Sequence, residues 1–126
     1  MNFLPGTHLL LWWLYGSPLL SREARQPIGD PNNTIFVSAV SLWEVWLKSS
    51  IGKLRVPSGF DRKLAAESFE ALPLKAEHTR FVATLEWHHK DPFDRMPIAQ
   101  AMGEKLTLLP ADKALGAYGR VVRVVG

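Results

Sequence analysis

Short runs of apolar or β-branched residues alternate with longer stretches in which hydrophobic positions recur at helical spacing. Asn2–Leu4 reads as a short strand, followed by a helix from Thr7 to about Tyr15. Leu19–Gln26 reads as a second helix closed by Pro27 and Gly29. The β-branched run Thr34–Val37, preceded by the turn-forming cluster Asp30–Asn33, reads as a strand. A helix then spans about Ala39 to Ser50, with Trp43, Trp46, Leu47 and Ser50 on one face and Gly52 ending it. Phe60–Phe69 predicts a helix, Leu72–Leu74 a strand and Ala76–Leu85 a helix. A further helix runs from Pro92 to about Gly103, followed by a strand at Leu106–Leu109. A short helix at Lys113–Tyr118 and a final strand at Val121–Val125 complete the pattern. Strands alternating with helices imply parallel pairing, hence an α/β fold, a three-layer α/β/α sandwich around a mainly parallel central sheet.

Composition narrows the class. The 126 residues suffice for one domain with a real core, spanning 1–126, and a 47% hydrophobic, 21% charged content is globular. With no cysteine, a disulfide scaffold, a thiol nucleophile and a thiolate zinc site are excluded, which fits a reducing cytoplasm. The longest unbroken apolar run, Leu9–Tyr15, is far short of the ~20 residues that span a bilayer, and no signal-peptide pattern accompanies it. We therefore expect a soluble, cytoplasmic protein with no membrane partner. The net charge of +3 permits an anionic partner. Lys48, Lys53, Arg55, Arg62 and Lys63 lie close together with only Asp61 opposing them, either a solvated surface or a phosphate-facing patch.

Acidic residues carry the chemistry. In open α/β sheets ligands bind beyond the C-terminal ends of the strands. Glu44 follows Thr34–Val37, Asp112 follows Leu106–Leu109, and Asp94 opens the helix leading into that last strand. Three carboxylates brought to one sheet edge repel unless a cation lies between them, and oxygen-only ligands suit a hard ion such as Mg²⁺ or Mn²⁺. Each acid also has a structural reading. Ser41–Glu44 matches a capping box, Glu44 is placed to pair with Lys48, Asp112 can cap the helix at Lys113, and Asp94 can complement a helix dipole. His88 and His89 are adjacent and point apart, while His8 and His78 are isolated, so surface or structural roles are expected for all four. The tryptophans at helical spacing, Trp43 and Trp46, suggest core or interface sooner than base stacking.

Five segments, FLPGTHLLLWWL, LSREAR, FVSAVSLWEVWLKSSIGKL, HHKDPFDRMPIAQA and LTLLPAD, resemble in order and spacing the PIN-domain ribonuclease toxins of the VapC type, over nearly the whole chain. The resemblance implies a Mg²⁺- or Mn²⁺-dependent endoribonuclease whose substrate is RNA, a cognate VapB-type antitoxin and a homodimer. It implies that Glu44, Asp94 and Asp112 are the catalytic, metal-binding acids, with Asp91 the helix cap. Lys48 and Arg95 become candidates for contacting phosphate or neutralising the acids. The fourth family acid is absent: where the pattern reads LLDTH, this chain has Leu4-Pro5-Gly6-Thr7-His8, which points to attenuated activity. Pro97 replaces an aliphatic residue and should kink its helix, and Pro110 replaces the usual Thr or Ser. The alternative is a catalytically impaired PIN domain retained as an antitoxin-binding or regulatory protein. A small-molecule-binding α/β domain ranks below both, for want of a Gly-rich phosphate loop. Trp12, Trp13 and Trp46 are expected at a partner surface.

Overall fold

A computed structural model describes residues 1–125. Four strands, β1 (Asn2–Pro5), β2 (Thr34–Ser38), β3 (Glu70–Leu72) and β4 (Thr107–Leu109), form one sheet in the order β3-β2-β1-β4, every pair parallel. Six α-helices accompany them: α1 (Thr7–Leu14), α2 (Arg22–Gly29), α3 (Ala39–Ser50), α4 (Phe60–Ala65), α5 (Ala76–Thr84) and α6 (Pro92–Glu104). A 3₁₀ segment, Lys113–Val121, follows β4. The architecture is the α/β/α sandwich expected from the alternating pattern.

Period-two alternation sorts the strand residues between the two faces. Leu4 and Leu108 pack with Leu85, Ile98, Ala99 and Leu115, under α5, α6 and the 3₁₀ segment. Their neighbours Phe3 and Leu109 turn the other way, to meet Leu9, Leu20, Ala24 and Ile28 of the α1–α2 side. Val37 joins Leu10, Leu14, Val45 and Phe60 on that same side. Strand β1 is central, and Phe3 and Leu4 are each no more than 1% exposed.

Several boundaries differ from the sequence expectation. The third strand ends at Leu72, because Pro73 lacks an N–H for the ladder and its carbonyl is taken by Gln100 Nε2. Helix α2 starts only at Arg22, capped by the Ser21 hydroxyl, and runs through Pro27 to Gly29. Helix α4 stops at Ala65. The expected final strand reduces to a single bridge between Leu108 and Val122. Here the 3₁₀ segment extends to Val121, turning at Gly119 with φ 86°. Helix α6 continues through Pro97 to Glu104, so the proline costs it a hydrogen bond without ending it. Trp12 and Trp13 are half-buried against the core, and the Trp13 indole donates to Glu67 at 2.9 Å. Both serve the interior, whereas Trp46 is 48% exposed. Among the described residues, no helix is long and apolar enough to cross a membrane.

Where β2 hands over to α3, the fully buried Ser38 donates to Gln100 Oε1 of α6 at 2.5 Å and caps α3 by accepting the Val40 N–H at 3.0 Å. This linkage fixes the angle at which α3, and Glu44 with it, leaves the sheet. Ser38→Ala removes the cap and strands a buried amide oxygen, so we expect a loss of about 2–3 kcal/mol. Urea unfolding checks it: an unchanged midpoint would show that the linkage carries no stability.

Candidate functional site

Strand β1 delivers the chain to the C-terminal sheet edge at Gly6, whose N–H donates to the Leu109 carbonyl at 2.9 Å. Gly6 is the N-cap of α1, with φ −68° and ψ 170° and no side-chain cap. That conformation is open to any residue, and a Cβ here would meet only ordinary contacts, 3.6 Å from the Leu109 oxygen. Nothing in the backbone requires glycine. The next residue, Thr7, is buried and donates its hydroxyl to Glu44 Oε1 at 2.5 Å.

Glu44 is 5% exposed on the inner face of α3 and forms an ion pair with Lys48 one turn on. It is not part of a capping box, because the N-cap of α3 is Ser38; the buried Ser41 hydroxyl makes no hydrogen bond among the described residues. Lys48 holds its proton more firmly than usual, chiefly through the Glu44 hydrogen bond, with further attraction from Asp91 and Asp94. Its ammonium therefore counters several acids.

At the start of α6 the two aspartates divide. Asp91 is the cap: its Oδ1 accepts the Phe93 N–H at 2.8 Å, ahead of Pro92 in the first turn. Asp94 does not cap. Burial, then the charges of Asp91, Glu44 and Asp112, push its carboxyl up from 3.8 to about 6, although His89 pulls the other way. A helix N-terminus normally favours a carboxylate, so the rise reports burial first and the neighbouring negative charges after it.

Asp112, beyond β4, is both cap and site residue. Its Oδ1 accepts the Ala114 N–H at 2.9 Å, and its Oδ2 lies 3.3 Å from His89 Nε2. The other ring nitrogen of His89 is 3.5 Å from Asp94 Oδ2. Residues from the β1, β2 and β4 ends and from α6 thus enclose one cleft of about 330 Å³, lined by Gly6, Thr7, Glu44, Lys48, Asp94 and Asp112 among others.

Arg95 is elsewhere. The guanidinium is 4% exposed, donates to the carbonyls of Val82, Glu86 and His89, and stacks 3.8 Å over Trp87. Its role is to shape the loop before α6, and it does not line the cleft. Thr7, by contrast, lines the cleft, and His89 touches Asp94 and Asp112 at its edge; the sequence reading gave Thr7 no role and His89 only a surface or structural one. His88 turns away to pair with Glu86 at 2.9 Å.

Among the described residues, one trio of potential ligand atoms lies within 4.8 Å of one another: Glu77, His78 and Glu104, away from the cleft. It is a poor metal site. His78 Nδ1 accepts the Lys75 N–H at 3.0 Å, which places the ring proton on Nε2, facing Glu104 Oε2 at 3.1 Å. No imidazole lone pair remains. In the cleft the carboxylates stand further apart, with the Lys48 ammonium and the His89 ring between them. The all-oxygen donor set and the raised proton affinity of Asp94 nonetheless fit a hard divalent cation.

The PIN domain profile matches residues 4–121, and the chain belongs to the PIN-domain family, whose members are generally metal-dependent nucleases. No curated protein sequence matches it significantly. Among solved structures, the fold is similar to that of VapBC2 from Rickettsia felis bound to a DNA fragment from their promoter, with TM-score 0.73, 17% identity and 100% of both chains covered. A toxin–antitoxin complex from Klebsiella pneumoniae gives TM-score 0.64 at 20% identity over 95% of this chain and 94% of that one. PAE2754 from Pyrobaculum aerophilum gives 0.55 at 18% identity over 99% and 92%.

The state of Asp94 yields a pH prediction. An unfolded aspartate titrates near 3.8, whereas the folded one keeps its proton to about 6. Between those values the folded state binds more protons, so its stability falls as pH rises through the window. In chelator at pH 7, Asp94→Asn should be more stable than the native chain by about 1–2 kcal/mol, after discounting for partial exposure, and lose that advantage near pH 4. Thermal unfolding of both proteins across this range is the check; a difference independent of pH would refute the assignment.

Proposed function

We propose that the chain is a VapC-type toxin, a metal-dependent endoribonuclease whose Mg²⁺ or Mn²⁺ is held by Glu44, Asp94 and Asp112. The observation that carries this reading is the meeting of Glu44, Asp94 and Asp112 around one cleft at the strand ends, within a PIN-domain chain. A divalent cation supplies Lewis acidity toward a phosphodiester and neutralises the charge that develops during its hydrolysis. The chain's own residues do the rest. Thr7 fixes the rotamer of Glu44 by donating to Oε1, leaving Oε2 to Lys48 or a cation. The Lys48 ammonium, on the cleft wall, is placed to receive a phosphate oxygen once a cation takes over its carboxylate partners. The Asp91 carboxylate, by accepting the Phe93 N–H, holds the first turn that carries Asp94, and the Ala114 N–H, by donating to Oδ1, holds Asp112.

A VapB-type antitoxin as partner is supported by the likeness to toxin–antitoxin complexes. Helix α3 and its end offer an exposed apolar strip, Trp43, Trp46, Leu47 and Ile51, suited to such a partner or to a second copy in a homodimer. The cysteine-free sequence supports a cytoplasmic setting for such a toxin. Gly6 favours a second reading, a PIN domain of impaired activity that persists as an antitoxin-binding protein.

RNA hydrolysis should require Mg²⁺ or Mn²⁺, vanish in chelator and fall about 100-fold or more in Asp94→Asn and Asp112→Asn, which is roughly 2.7 kcal/mol in barrier. Activity unaltered by either substitution would sink the assignment, and no activity in the native chain would favour the second reading. Gly6→Asp should fold normally, since its backbone and space are suitable, and bind Mg²⁺ about tenfold tighter with a faster rate. Calorimetric titration separates it from the native protein; equal affinities would mean that a fourth acid has no place at this site.

A further inference from the structure

His89 is not one of the motif acids, yet hydrogen bonds hold both its backbone and its ring beside the cleft. It sits in the loop between α5 and α6. Its N–H donates to the Tyr118 hydroxyl oxygen at 3.1 Å, and its carbonyl accepts from Arg95 Nη1 at 3.4 Å. Arg95 also donates to the same Tyr118 oxygen at 2.9 Å, joining the two anchors. A buried guanidinium with this many carbonyl partners is an expensive group to place in a core, and here it holds the backbone of a single loop.

The ring is oriented as firmly as the backbone. Nδ1 accepts the Asp91 N–H at 3.2 Å, so the proton is on Nε2, directed at Asp112 Oδ2 3.3 Å away. The ring has no lone pair to offer a cation. What it offers is a donor. Asp112 is 51% exposed, and its own helix secures only Oδ1, through Ala114. The direction of Oδ2 is left to His89.

We propose that His89 is a positioning residue that presents Asp112 to the cation, with Arg95 and Tyr118 as the frame that holds it. The inference rests on the reading of Glu44, Asp94 and Asp112 as the cation ligands. Outer groups that orient a ligand are worth about 10–100-fold in metal affinity. One ordered N–H on a half-exposed carboxylate belongs at the lower end of that range. The role also gives Arg95 a function without contact to substrate: it acts on the site through the His89 backbone.

The test is calorimetric titration of the full chain with Mn²⁺, for the native protein and for His89→Ala, His89→Gln and His89→Met. The Gln amide nitrogen reaches about as far as imidazole Nε2 and can donate; Met fills similar space without a donor. We expect affinity to fall about tenfold in the Ala and Met variants and to stay within about threefold of native in the Gln variant. Thermal midpoints in chelator should remain close to native in all three, because the ring lies at the cleft edge with 24% of its side chain exposed. Native affinity in the Ala or Met variant would overturn the proposal. So would a loss in Gln as large as in Ala. Failure of the native chain itself to take up Mn²⁺ has a different meaning: the cation-site reading falls, and this inference with it.

Discussion

Negative charge collected at the C-terminal edge of a parallel sheet must be countered by something, and that electrostatic requirement governs the functional half of this molecule. Parallel pairing brings the ends of β1, β2 and β4 to one edge, and the connections that leave them carry the acids there. Lys48 and His89 stand among those acids. Asp94, partly buried and with Asp91 three residues before it and Glu44 and Asp112 nearby, is the acid held above its usual range.

The rest of the architecture can be understood as support for that edge. Ser38 and Gln100 lock α3 to α6, so the helices bearing Glu44 and Asp94 move as one body. Thr7 ties the start of α1 to Glu44, and His89 ties the loop before α6 to the turn after β4. These links are polar, short-ranged and directional, whereas the core beneath is apolar and tolerant of detail. Fold and site therefore rest on different kinds of interaction.

That division explains what could be read from the sequence. The alternation in Phe3-Leu4 and in Ile35-Phe36-Val37 marks strands because each face of the sheet is covered, and the parallel order follows from the intervening helices. The roles of Asp91 and Asp94 were separable because Pro92 fixes where the helix begins. The last strand was not separable from a turn. Val121–Val125 has strand-like composition, but after Gly119 it meets β4 at one bridge only. Arg95 was misplaced by its nearness to Asp94 in sequence: one residue along a helix is a rotation of about 100°, which turns it from the cleft into the loop. His89, expected in a surface or structural role, could not be placed among the acids for the opposite reason. Its position depends on how a loop folds back over α6, set by a tyrosine far along the chain, and local spacing carries no trace of that.

Gly6 has a consequence for how the chain can change over generations. Two of the four glycine codons lie one base from an aspartate codon, and the local main chain accommodates a side chain here. A lineage can therefore pass between the two in one mutational step, with no intermediate that misfolds and no compensating change needed elsewhere. The change would add or remove one negative charge at the mouth of the cleft while leaving the main chain as it is.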